Sequence, residues 1–125
     1  MRILIADDNQ FIRRGILALL AHEEGIQVCG EASDSAEAIQ KATELQPDIV
    51  LLDISMPGGN GLETARLLKQ KFPETKILIV SQHDAKQLLP RSLEVGASGC
   101  VDKARLAIDL LPKIRGLENT SAGQS

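Results

Sequence analysis

Five short apolar runs, each followed by a segment whose apolar residues recur at helical spacing, constrain the fold of this chain more than any other feature. The runs are Ile3-Ala6, Gln27-Ala32, Ile49-Leu52, Ile77-Val80 and, more weakly, Gly99-Val101. Their near-continuous Ile, Val and Leu content predicts strands buried on both faces. Between them Ile12, Ile16, Leu19 and Leu20 share one helical face, as do Ala38, Ile39, Ala42 and Leu45, and then Leu62, Ala65, Leu68 and Phe72. The boundaries carry matching signals. Asp34 and Glu37 have capping-box spacing, Pro47 and Pro73 stand where helices end, and Gly96 stands where a left-handed C-cap belongs. A fivefold strand-helix repeat predicts an α/β, doubly wound parallel sheet, because right-handed crossovers place helices on both of its faces. The expected strand order is 2-1-3-4-5.

Two prolines interrupt the helical pattern. Pro90 and Pro112 fall within the expected fourth and fifth helices, where an interior proline costs about 3 kcal/mol. Regular helices are therefore expected to begin near Gln87 and Asp109, putting both prolines in a first turn and leaving the fourth helix short or displaced.

At 125 residues, 43% of them hydrophobic, the chain has the size of one domain, and with two Phe and no Tyr or Trp its core must be aliphatic. A formal net charge of -3, with acids and bases interspersed, offers no broad cationic surface, so direct nucleic-acid binding is not expected. The longest apolar run, from Ile16 to Ala21, is too short to span a membrane, and Met1 leads directly into a strand; a cytoplasmic protein is expected. Cys29 and Cys100 lack metal-ligand spacing and read as free thiols inside strands. From Gly116 onward the chain turns small and polar. The expected organisation is a domain over residues 1–115 and a linker-like tail over 116–125, of the kind that leads to a further domain.

In open parallel sheets ligands bind beyond the carboxyl ends of the strands, where strand order reverses. Asp7 and Asp8 follow the first strand, Asp53 ends the third, Ser81 ends the fourth and Lys103 follows the fifth, so four separate segments converge on one rim. Singly these residues have ordinary roles: Asp7 and Asp8 could cap the first helix, a role Asn9 could share, and a lone Ser or Lys is a solvated loop residue. Together they make a chemical site. Clustered carboxylates favour a hard divalent cation, and oxygen-only ligands suit Mg²⁺. One carboxylate, Asp53 at the end of the central strand, is then placed to attack phosphorus, with the Lys103 charge and the Ser81 hydroxyl available to the phosphoryl oxygens.

With those residues the chain resembles the receiver domains of bacterial-type two-component response regulators. The hallmarks are Asp7-Asp8, the stretch Asp53-Ile54-Ser55-Met56-Pro57-Gly58-Gly59-Asn60-Gly61, Ser81 and Lys103, and the resemblance spans residues 1 to about 117. It implies a flavodoxin-like (βα)₅ fold that accepts a phosphoryl group from a sensor histidine kinase on Asp53, with Mg²⁺ as cofactor. It further implies that Asp8 and Asp53 ligate the metal directly, Asp7 mainly through water, and Ser55 through its backbone carbonyl. Phosphorylation and dephosphorylation would be self-catalysed; the chain would not be a dedicated enzyme. Ser81-Gln82-His83-Asp84 and the segment from Gly96 to Lys103 are similar to the NarL/FixJ (LuxR-type) subfamily, in which a receiver precedes a helix-turn-helix DNA-binding domain. The implied output is transcription regulation, either through homodimerisation on phosphorylation or through altered contact with an attached DNA-binding domain.

The chain departs from that family at two places. Cys100 stands where receivers usually carry Tyr, Phe or His three residues before the lysine, so the conformational switch is expected to be weaker or to use other groups. Ala104 replaces a frequent proline after the lysine, so Lys103 is expected to be held differently. His83, two residues after Ser81, is a candidate modulator of phosphate lifetime, as is Ser55. Two rival readings compete: a Mg²⁺-dependent phosphohydrolase, which lacks its second acid because Asp53-Ile54-Ser55 is not Asp-x-Asp, and a pseudo-receiver that never takes phosphate, against which the intact acids argue.

Overall fold

The computed structural model describes residues 1–58, 60–82 and 84–123, with side chains as far as residue 118. Strands and helices alternate: β1 (Arg2–Ala6), α1 (Gln10–Leu20), β2 (Gln27–Ala32), α2 (Ser35–Leu45), β3 (Ile49–Asp53), α3 (Gly61–Lys71), β4 (Lys76–Ser81), α4 (Ala85–Glu94), β5 (Gly99–Asp102), a 3₁₀ turn (Lys103–Arg105) and α5 (Leu106–Gly123). The strands form one parallel sheet in the order β2-β1-β3-β4-β5, as the sequence pattern predicts.

Alternation along each strand divides the core in two. Leu4, Val50, Leu52, Ile77 and Ile79 pack on one face with Ala38 and Ala42 of α2 and Ala65 and Leu68 of α3. Ile3, Ile5, Ile49, Leu51, Leu78 and Val80 pack on the other with Ile16 and Leu20 of α1 and Leu110 and Ile114 of α5. Each such side chain removed from water stabilises the fold by about 1.5–3 kcal/mol, which leaves no interior strand position for a polar group. In β1, β3, β4 and β5 polar chemistry is therefore confined to the strand ends, whereas β2, expected to be buried on both faces, lies at the sheet edge and exposes Gln27 and Glu31. At the edge, the β1–β2 register shifts between Ile3 and Leu4, and the thiol of Cys29 there donates to the Ile3 carbonyl at 3.5 Å. Cys29 and Cys100 are both free, the first half-buried and the second buried.

The helix boundaries follow local chemistry. Asp34 caps α2 by accepting from the Glu37 amide at 2.7 Å, while the Glu37 carboxylate reaches back to the Ser33 amide rather than to that of Asp34, also at 2.7 Å. Gln46 and Phe72 cap the C-terminal ends of α2 and α3, immediately ahead of Pro47 and Pro73. Gly96, at φ +94°, receives the chain leaving α4 and donates its amide to the Leu93 carbonyl at 3.0 Å. Gly61 opens α3 against the backbone of Ile54, where a Cβ would come within 2.2 Å of the Ile54 Cα and O.

The expected starts of α4 and α5 are wrong. The helices begin at Ala85 and Leu106, not near Gln87 and Asp109, so Pro90 and Pro112 lie inside them. Each proline removes the amide that would pair with the carbonyl four residues earlier, on Lys86 and Ile108. Both of those residues are exposed, so water can take the freed carbonyls, and the cost is smaller than in a buried helix. The polar segment after residue 115 continues α5 as far as Gly123, with Leu117 packed on the core and Arg115 paired to Glu118 at 3.4 Å.

Candidate functional site

Order reverses between β1 and β3, and the acidic residues lie at that point of the sheet. β1 runs out at Ala6 into Asp7 and Asp8; β3 ends on Asp53; β4 ends on Ser81, one residue past Val80, the register partner of Asp53; Lys103 follows β5 directly. One oxygen from each of Asp7, Asp8 and Asp53 can be found within 4.8 Å of the others. The Lys103 ammonium stands 3.1 Å from Asp7 Oδ2 and 3.2 Å from Asp53 Oδ2. Every residue expected at the rim therefore sits at the same edge, except His83, which lies outside the described residues.

Each buried carboxylate is anchored through its Oδ1 by groups two residues further along the chain. Asp7 Oδ1 accepts the Asn9 amide at 2.8 Å, and Asp53 Oδ1 accepts both the amide and the hydroxyl of Ser55, at 3.0 and 2.8 Å. Both outer oxygens are buried and, among the described residues, have only the Lys103 ammonium beside them, with no well-directed hydrogen bond. Asp8 is exposed. The capping alternative for the two acids is excluded, because Asn9 caps α1: its side-chain oxygen accepts from the Phe11 and Ile12 amides at 2.8 and 3.2 Å.

Burial pushes the Asp7 carboxyl above its ordinary value, outweighing the Asn9 amide and Lys103, which act in the opposite direction. For Lys103 burial works downward, but the close approach of Asp7 and the charge of Asp53 outweigh it, and the ammonium is held above the usual lysine range. Three carboxylates facing one ammonium leave a negative site with two under-served oxygens. That donor set fits a hard divalent cation such as Mg²⁺, with solvent access through Asp8.

A family model described as the response regulator receiver domain matches residues 3–118. The chain belongs to that family. Response regulator GacA of Pseudomonas viridiflava is 37% identical over 115 residues, covering 92% of this chain and 54% of that protein. This receiver thus spans about half the length of the curated relatives it matches. Among solved structures, the isolated REC domain of RcsB from Salmonella enterica serovar Typhimurium, in the presence of phosphomimetic BeF3-, superposes with a TM-score of 0.88 at 29% identity, covering 95% of this chain and 88% of that one. A LuxR-family response regulator from Aurantimonas gives 0.84 at 34% identity, with 98% and 85% covered. These likenesses agree with the NarL/FixJ subfamily and with a flavodoxin-like fold.

The two departures from the family pattern have different outcomes. Ala104 does not displace the lysine: the chain enters the 3₁₀ turn with all described peptide bonds trans, and Asp102 caps the turn by accepting the Ala104 amide at 2.9 Å. Cys100 is buried on β5, beside the Ser92 hydroxyl, and burial pushes its thiol upward. It forms the floor of a cleft of about 230 Å³ between the start of α4 and α5, walled by Asp84, Lys86, Asp102, Arg105 and Lys113.

Two features of this receiver were missed in the sequence. The Ser55 hydroxyl grips Asp53, a contact not foreseen where Ser55 was expected to offer its backbone carbonyl to the metal and to modulate phosphate lifetime. Arg13 reaches from α1 to the Asp7 carbonyl, and its only sequence signal is a position six residues beyond Asp7, on the first turn of the following helix.

Proposed function

We propose that Asp53 is the phosphoacceptor of this receiver and that Asp7, Asp8, Asp53 and the Ser55 carbonyl hold Mg²⁺. The observation that carries the reading is the single ammonium of Lys103 shared between Asp7 and Asp53 at 3.1 and 3.2 Å, because it joins three strand ends into one charged site. Bound Mg²⁺ supplies positive charge that offsets the carboxylates and the incoming phosphoryl oxygens.

The chain's own groups do the rest. Ser55 holds Oδ1 of Asp53 through its amide and hydroxyl, which fixes the plane of the carboxylate and leaves Oδ2 beside Lys103. Attack on phosphorus forms an O–P bond as the P–N bond of a kinase phosphohistidine breaks, and the departing imidazole takes up a proton. Lys103 and Ser81 hold the phosphoryl oxygens, which draws the ammonium away from Asp7 and changes the contacts of β4 and β5. The mixed anhydride is hydrolysed in turn, so the chain is a self-catalysed acceptor rather than a dedicated enzyme. Cys100 in the usual aromatic place weakens the part of the switch that depends on a rotating ring, and His83 adjusts phosphate lifetime.

The kinase, a second copy of this chain and a helix-turn-helix effector domain are the proposed partners. RcsB is described bound to the promoter rprA, which supports transcription as the output. We place the receiver at residues 1–115 and its connection to an effector at 116–125, which begins as the continuation of α5 with Leu117 still on the core, and a cytoplasmic location; no described helix is long and apolar enough to cross a membrane. Incubation with acetyl phosphate should add one phosphoryl mass to the wild-type chain only when Mg²⁺ is present, and none to Asp53→Asn. Equal labelling of that variant would overturn the assignment.

A further inference from the structure

Arg13 lies outside the acidic cluster yet is tied to its backbone. Its Nη1 donates to the Asp7 carbonyl at 2.6 Å, and its Nε donates to Glu31 Oε1 at 2.9 Å. Glu31 is on the edge strand β2, next to Ala32, whose carbonyl accepts the Asp7 amide at 2.9 Å. The Asp7 residue is thus gripped on both sides, through its N–H by β2 and through its carbonyl by a guanidinium that β2 holds in place. That carbonyl belongs to the peptide leading into Asp8.

Asp8 differs from the other two carboxylates. Asp7 and Asp53 are buried and fixed by neighbouring amides, whereas Asp8 is exposed, so the direction of its side chain depends on the backbone that carries it. A peptide plane free to rotate at Asp7 would spread the Asp8 carboxylate over several orientations, and each cation bound would have to bear the cost of ordering it.

We propose that Arg13, oriented by Glu31, is a positioning residue for the divalent cation: it locks the Asp7–Asp8 peptide and so holds the Asp8 carboxylate toward Asp7 and Asp53. The inference rests on the reading of the acidic trio as a Mg²⁺ site. Simple electrostatics predicts the opposite sign. The guanidinium is a positive charge beside a cation site, and deleting it without any positional effect should tighten Mg²⁺ binding. A role confined to anchoring α1 would lower the melting temperature and leave Mg²⁺ affinity alone.

The test is calorimetric titration of Mg²⁺ into the unphosphorylated chain for wild type, Arg13→Ala, Arg13→Lys, Glu31→Ala and the double variant Arg13→Ala/Glu31→Ala, with melting curves in parallel. Loss of an outer partner that orients a metal ligand costs roughly tenfold or more in affinity. Arg13→Ala is expected to weaken binding by about tenfold. Arg13→Lys should recover part of that loss, because it retains one donor, and Glu31→Ala should weaken binding less than Arg13→Ala. The double variant should be no weaker than Arg13→Ala alone, since the two residues act in series. Unchanged or tighter binding in Arg13→Ala would overturn the inference, as would a fall in melting temperature without a change in affinity. If Arg13→Ala fails to fold, Glu31→Ala and Arg13→Lys decide by the same criteria. Absence of Mg²⁺ binding by the wild type would instead overturn the reading of the trio, a result separable from failure of the Arg13 role.

Discussion

Replacing Lys103 with Met keeps an unbranched apolar stem and deletes the one positive charge that Asp7 Oδ2 and Asp53 Oδ2 share at 3.1 and 3.2 Å. All three side chains are less than a tenth exposed, so water does not replace the lost partner. Removing one member of a buried ion pair costs about 3–5 kcal/mol. The lower end applies, because burial already pushes Asp7 toward the protonated form and a proton on that carboxyl relieves part of the repulsion. At about 4 °C per kcal/mol for a domain of this size, the metal-free variant should melt about 12 °C below wild type. Mg²⁺ should then act as a surrogate for the lost ammonium. At about a hundred times its dissociation constant a ligand stabilises by about 2.7 kcal/mol, so saturating Mg²⁺ should restore about 11 °C. With one positive charge fewer beside the carboxylates, the variant should bind Mg²⁺ at least as tightly as wild type. Calorimetric melting across a Mg²⁺ series measures both quantities. A metal-free variant as stable as wild type, or one that Mg²⁺ stabilises less than wild type, would refute the reasoning.

Mg²⁺ affinity should fall as pH is lowered through the raised Asp7 value, because the metal needs the carboxylate; titration calorimetry at stepped pH reads this, and a pH-independent affinity would count against Asp7 as part of the site. In the metal-free chain the sign for stability is reversed: a raised carboxyl favours the folded state below its unfolded value of 3.8, and that contribution is lost as pH rises through the folded value. The Lys103 contribution is present below 10.5 and lost as pH rises past its raised value, so wild type should lose stability at alkaline pH over a range where Lys103→Met does not. Gly61→Ala should cost about 3 kcal/mol, since its Cβ would meet Ile54 backbone rather than a flexible side chain; chemical denaturation checks this, and a near-neutral result would mean that the turn after Asp53 can yield. In the native chain iodoacetamide should label half-buried Cys29 faster than Cys100, whose burial both shields the thiol and disfavours the thiolate, and peptide mapping gives the order.

Much of the architecture is legible in the sequence because four of its five strands, all but the edge strand β2, are buried on both faces. Ile49 through Leu52 admits one reading, and once five such runs alternate with helical periodicity the crossover rule leaves few strand orders. The rim residues follow by the same logic, since only strand ends tolerate Asp7, Asp53 and Ser81 in so apolar a sheet. The starts of α4 and α5 were not legible: proline rules give the energetic cost of Pro90 and Pro112 but not that Lys86 and Ile108 face water. The Arg13–Glu31 contact was hidden for another reason. It joins residues 18 apart through a long side chain, and nothing local marks either as a partner. The Ser55 hydroxyl was hidden because a turn residue two positions after an acid ordinarily offers its amide first, and here it offers both.

The most direct measurement is to locate the phosphoryl group. The chain is treated with acetyl phosphate and Mg²⁺, the acyl phosphate is reduced with borohydride, and the peptides are sequenced by tandem mass spectrometry. The account predicts a homoserine at position 53 and nowhere else, dependent on Mg²⁺. Reduction at Asp7 or Asp8, or no reduction at any carboxylate, would contradict it.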